Sequence, residues 1–343
     1  MAVVNITGLQ REAKNYQKDF RVLPYAILID VLKILGISLL EVNYKDTIVV
    51  EQRKGGVAKP YVAGTLDYIT EIAKLSESDL ITVKAYAALK DDIESYRAKN
   101  VLFDASANKV NNQDKKHPLE RDIIAKKVIT VAEDIIDALF PSNRNTADKT
   151  PMGMVDGFDT IISDAITATD ISLAKGNLVN SGALDAPVDG ADTTAYDNLI
   201  TWLRKADEKA KDKPLILRIP PVQLLNVQDA LQNKLAVKAV EFEDVLKHIQ
   251  FRSGLSKLSI ASHYCLGTGE RMHLTTPGNF DLGMNTFGDI DFVQVRNIFE
   301  DPNLVQFWMQ WHIGMRITNL HKREFMVNEG VPVANSLSGD YTA

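Results

Sequence analysis

His263, Cys265 and His273 are the residue types that hold zinc or form a thiol–imidazole pair, and they stand within one short stretch. A structural zinc site closes with four nitrogen or sulfur ligands. Here the fourth is missing and no C-x-x-C pair occurs, so no metal is expected. The single cysteine has no evident base partner, and no G-x-S-x-G elbow is present. Gly267-Thr268-Gly269 lacks the third glycine and the strand–helix setting of a dinucleotide loop, and no G-x-x-x-x-G-K-[ST] occurs. Asp156, Asp159 and Asp164 stand at helical spacing and are expected on a solvated face. His312 and His321 are expected to face solvent or to be hydrogen-bonded. Phe307, Trp308 and Trp311 alternate between faces, which suits a core and an interface better than a base-stacking platform. The expectation is a protein that is not an enzyme, with no catalytic residue, no cofactor and no metal.

The elements that would carry any site are easier to read. His117 to Pro141, HPLERDIIAKKVITVAEDIIDALFP, opens with Pro118 at a position where a missing N–H costs nothing and ends at Pro141. Glu120 and Asp122 put negative charge in the first turn, where the helix dipole favours it. Ile124, Val128, Val131, Ile135 and Leu139 recur at spacings of three and four and form one apolar stripe. Ile123, Ile129, Ala132, Ile136 and Phe140 widen it, while Arg121, Lys127, Glu133, Asp134 and Asp137 are expected mainly opposite. Such a helix would be about 35 Å long and must lie along a sheet to be stable.

The second clear signal is near the C-terminus. Val305, Phe307, Met309, Trp311, Ile313, Met315 and Ile317 are apolar at period two, the pattern of a long strand with one buried face. Ile81 to Leu89 alternates in the same way, and Lys90-Asp91-Asp92-Ile93-Glu94 reads as an acidic connector or helix start. Pro214 to Ile219 is a short apolar run suited to a buried strand. Val222 to Leu235 then reads as a helix and Leu258 to Ala261 as another strand, together a compact α/β unit. Lys45 to Arg53 and Val57 to Val62 are extended runs around Lys54-Gly55-Gly56, a hairpin signal. This hairpin is polar, and an isolated two-stranded ribbon is marginal in water.

Composition bounds the rest. With 343 residues, 45% of them apolar, the chain can build a sizeable core. The net charge of −6, with both signs mixed and no basic block, argues against tight binding to nucleic-acid phosphates. One cysteine excludes an internal disulfide framework. No signal peptide or membrane anchor is read. Tyr25 to Leu40 is too short for a span and is broken by Asp30, Lys33 and Gly36, so it reads as a buried helix. Residues 1 to 23 read as an arm with a short helix around Arg11 to Asp19.

Taken in order, these parts resemble the major capsid protein of tailed bacteriophages, the Hong Kong 97 fold. In that family a hairpin loop leads through a segment similar to SDLITVKAYAALKDDIES into a spine helix, here HPLERDIIAKKVITVAEDIIDAL. PMGM (Pro151 to Met154) resembles the step after the spine, PLILRIPPVQLLNVQDAL the axial strand and helix, and FWMQWHIGMRI the return strand. The resemblance runs from Lys45 to Ile317.

It implies an α+β fold with an N-terminal arm over 1–44 and an extended hairpin loop over 45–80. A peripheral domain would follow over 81–194 with its spine helix at 118–140, then an axial α/β domain over 195–285. Return strands of the peripheral domain over 286–327 and a tail over 328–343 complete it. The implied function is self-assembly into hexamers and pentamers of an icosahedral phage head enclosing double-stranded DNA. That DNA would not be bound sequence-specifically. The location would be the virion, with assembly in the host cytoplasm and no membrane contact. Portal, scaffolding and decoration proteins are possible partners. With about forty residues before the hairpin, scaffolding would come from a separate protein. Arg53, Lys54, Gly55, Gly56 and Lys59 would make intersubunit contacts at the hairpin. Lys54 and Lys59 could donate to the lysine–asparagine cross-link of some members, but no acceptor is identified. An encapsulin-like compartment shell and a soluble α/β enzyme with an unrecognised site are the alternatives.

Overall fold

The computed structural model describes residues 6–15, 27–42, 44–53, 73–92, 119–236, 241–285, 293–298 and 301–330. Helix α1 (Ile6–Asn15) begins earlier than the Arg11 expected from the sequence. Helix α2 spans 27–35 and ends at Gly36, whose φ of +62° suits a residue without a Cβ. Strand β1 (Ser38–Glu41) follows, then β2 (Lys45–Arg53), β3 (Ala73–Ile81) and β4 (Val83–Asp92). The spine is α3 (Leu119–Ala138), with α4 (Phe158–Thr167) folding back from it and β5 (Leu178–Val179) beyond. Next come α5 (Thr194–Arg204), β6 (Leu215–Arg218), α6 (Pro221–Leu235) and α7 (Phe242–Ser253). The chain closes with β7 (Leu258–Ala261), β8 (His273–Thr275), β9 (Phe280–Met284), β10 (Val293–Ile298), β11 (Asp301–Ile317) and β12 (Phe325–Asn328). The fold is α+β, and its order of hairpin, strand, long helix, α/β unit and long strand is the one the sequence suggested.

Two cores divide the apolar residues. One lies between α3 and a sheet of order β1-β9-β11-β10, with β4 pairing β11 on the other side of its N-terminal half. Val305, Phe307, Met309, Trp311 and Ile313 all point into it, as period two requires. The stripe of Ile124, Val128, Val131, Ile135 and Leu139 meets them and is wholly buried. The second core surrounds the sheet β5-β12-β8-β6-β7, with Trp202, Leu217, Val227 and Ile249 at its centre. Leu9 of α1 is buried in the first core, so this helix rests on its own chain, against β10 and α3.

Several local expectations change once partners exist. Lys90-Asp91-Asp92 is not a connector: it continues β4, because β11 offers pairing positions as far as Leu304. Asp91 is met there by Lys127, whose ammonium also lies 4.8 Å from the centre of the Phe307 ring. Asp137, expected on the solvated side of the spine helix, is buried. The helix is covered on more than its apolar stripe, since the Tyr264–Leu266 turn packs against it as well as the sheet. Leu225 and Val222 of α6 are exposed, because the second core covers only the face carrying Val227, Ala230 and Leu231. Asn328, expected in a loose tail, is buried at the end of β12, where its side chain accepts from Met272 N–H at 2.7 Å.

Candidate functional site

Among the described residues, the hairpin contributes only Leu80 to the buried apolar side chains. Its β2 pairs β3 antiparallel from Lys45↔Ile81 to Arg53↔Ala73, a ladder of roughly 30 Å at about 3.4 Å per residue. The strand opposite Lys45–Arg53 is therefore Ala73–Ile81, and not the Val57–Val62 run expected to return directly after Gly55-Gly56. The physical reason lies at the ladder's base. There Leu80 is fully buried, Lys45 pairs Asp79 at 2.8 Å and Thr47 donates to Asp79 at 2.6 Å. Register is chosen where a side chain can be buried and charges can be met. Arg53 is the last residue of β2. Lys54, Gly55, Gly56 and Lys59, and the Val57–Val62 run, lie outside the described residues.

Among the hairpin residues with described side chains, 45–50 and 77–81, Leu80 alone is buried. Val49 is 56% exposed and Ile81 58% exposed. Such a ribbon satisfies its backbone along one edge of each strand, and its described side chains bury little apolar surface beyond Leu80.

The root of the hairpin is built from residues far apart in sequence. β9 and β11 pair with Gly283 opposite Gly314 and Asp281 opposite Arg316. A Cβ on Gly314 would stand 2.2 Å from the Ile81 carbonyl oxygen, and one on Gly283 would stand 2.8 Å from the Leu80 side chain. Only glycine lets the hairpin lie this close to the sheet. Arg316, buried at 3% exposure, donates through Nε and Nη2 to Asp281 at 3.1 and 2.7 Å. Its Nη1 reaches the Asp46 carbonyl at 3.3 Å and the Ser78 carbonyl at 3.2 Å. These contacts were not legible from sequence, because a glycine pair and an ion pair across two strands show no local pattern.

The residues that could do chemistry are separated. His263 Nδ1 lies 3.2 Å from Cys265 Sγ, but His273 Nε2 is bonded at 2.9 Å to Asp159. Among the described residues no group of three or more could hold a metal ion. Burial pushes the Cys265 thiol up, so its thiolate is disfavoured, and burial lowers His263. Asp159 is not solvated as expected. It is buried where α4 meets β8, and Arg271 donates to its carbonyl at 3.0 Å. His321 accepts from Arg323 N–H, and His312 meets the edge of Tyr44 at 5.2 Å. Trp308 lies on the open face of the sheet, stacked on Tyr86 at 5.1 Å. Arg218, unremarked inside an apolar strand, proves to be fully buried. It donates to the Leu35, Gly36 and Thr275 oxygens and lies 4.2 Å from the Phe280 ring, and burial lowers its pKa to about 9. No described helix is long and apolar enough to cross a membrane.

No family model and no curated protein sequence matches the chain. Among solved structures it is similar to a chain of the satellite phage P4 procapsid, at 13% identity and TM-score 0.47. That match covers 89% of this chain and 98% of the other. It is also similar to a virus-like particle from Pyrococcus furiosus, at 12% identity and TM-score 0.48 over 92% and 99%. A third similar structure is the capsid of the native GTA particle, at 12% identity and TM-score 0.48 over 89% and 90%. In all three cases the similar chain comes from a capsid or particle.

Proposed function

We propose that this chain is the major subunit of a phage head, assembling through its own copies into hexamers and pentamers around packaged double-stranded DNA. The observation that carries this reading is the hairpin: a long ribbon anchored at its root, with Leu80 the one buried side chain among its described residues 45–50 and 77–81. A two-stranded ribbon gains stability when a neighbouring surface covers it. When every copy donates the same ribbon to the next, the contact is heterologous, and it closes into rings when the rotation between copies allows. The order of elements shared with the Hong Kong 97 resemblance supports the same reading. So does the mixed surface charge of a wall that confines DNA without gripping it. In this reading residues 45–80 reach the neighbour, with Arg53, Lys54, Gly55, Gly56 and Lys59 at the contact. The body around the second core sits near the rotation axis, and the virion is the destination.

Light scattering coupled to size exclusion, followed by negative-stain microscopy, tests this directly. Rings or closed shells are the expected result. A monomer that persists across salt and protein concentration overturns the reading. Shells that always carry a protein cargo and exclude nuclease-protected DNA point to a compartment shell instead.

A further inference from the structure

We infer that Arg316, seated beside the Gly283–Gly314 saddle, is the positioning residue that fixes the direction in which the hairpin leaves the body. The inference concerns one chain by itself and holds whatever the hairpin goes on to touch.

Three observations meet at this point. First, the saddle makes contact close and specific: Ile81 carbonyl oxygen lies over Gly314 and the Leu80 side chain over Gly283, with no Cβ between sheet and ribbon. Contact alone does not set an angle, because a ribbon resting on bare backbone can pivot about it. Second, Arg316 spans the joint. One side of its guanidinium holds Asp281 on β9, and its Nη1 points the other way, to Asp46 on β2 and to Ser78 on β3. Its Nη1 also stands 3.4 Å from the Asp46 carboxylate, and Ser78 Oγ returns a bond to the Ile317 carbonyl at 3.4 Å. Both strands of the ribbon are therefore tied to one rigid planar group. Third, that group is itself fixed. Asp281 is buried and also accepts from Thr318 Oγ1 at 2.9 Å, so the carboxylate cannot follow a moving hairpin. A planar fork held on one side and bonded on the other constrains orientation, which a single ammonium cannot do.

At the far side of the root, Thr82 N–H donates to Tyr44 carbonyl at 2.9 Å. This bond closes the ribbon's base, so the joint moves as a unit and not by splaying of its two strands. Loss of Arg316 should then widen the range of angles and leave the ladder intact.

The test is a distance distribution between spin labels on cysteines introduced at Val49, on the hairpin, and Leu173, exposed on the body. Labelled chain is diluted into unlabelled chain so that only pairs within one copy are read. Cys265 is buried and stays unlabelled. The native chain should give one narrow peak. In Arg316→Met, which keeps the apolar stem and loses every bond, the peak should become at least twice as wide, while circular dichroism stays unchanged. Arg316→Lys retains the charge beside Asp281 but cannot reach both strands, and should also broaden the peak. It decides the matter if Arg316→Met does not fold. A fall in melting temperature with a native peak width in the folded variant would make Arg316 an ordinary core residue and overturn the inference.

Discussion

Asp134 stands on α3 between Glu133 and Asp137, and partial burial, with repulsion from Asp137 and then Glu133, raises its carboxyl from 3.8 to about 6. Between about pH 4 and 6 the folded chain therefore holds a proton that the unfolded chain has released. Its contribution to stability is complete below about pH 4 and is lost as pH rises through about 6. The full shift corresponds to about 3 kcal/mol, and screening of a group this exposed brings it to on the order of 1 kcal/mol. Asp134→Asn should be more stable than the native chain by about that much at pH 7 and no more stable at pH 4. Urea midpoints at the two values check it, and a pH-independent difference would refute the assignment. Asp137 and Glu133 bear on Tyr264 as well, which is raised to about 12 first by burial and then by Asp137.

At the scale of elements, α3 and β11 hold each other in place. A helix of 20 residues is marginal alone, and packing of its apolar face supplies what propensity does not. Ile135, 1% exposed, lies in the core it shares with β11, while Thr130 is exposed and donates to the Lys126 carbonyl of its own helix. Ile135→Ala should lower unfolding free energy by about 2–5 kcal/mol, and Thr130→Ala by less than about 0.5. Chemical denaturation of both variants measures the contrast; equal losses would mean that the stripe is not the buried face. Both elements were legible in the sequence because their periods, near 3.6 and 2, are local properties of the side chains. The partner of β2 was not. The sequence pointed to Val57–Val62 as the chain returning beside Lys45–Arg53. The choice of Ala73–Ile81 came from Leu80 finding Gly283, a contact between residues about two hundred positions apart.

For the whole molecule, the exposed hairpin separates folding from association. Val49→Asp adds charge where the monomer has no core, so the variant should fold with native dichroism and melting temperature. In the proposed shell the same charge would be pressed against a neighbour, and sedimentation velocity should show assembly lost. Assembly at native yield by a folded Val49→Asp would show that this part of the ribbon stays in solvent. The candidate site thus divides in the same way as the fold. Periodicity and turn chemistry determined a spine helix, a long terminal strand and a ribbon too polar to stand alone, because each is set by side chains a few residues apart. Tertiary structure alone decided which strand closes the ribbon, that Asp137 and Asp159 are buried, and that Gly283, Gly314, Asp281 and Arg316 form one joint. Those outcomes depend on strand register and on burial between distant segments, and no short stretch of sequence carries that information.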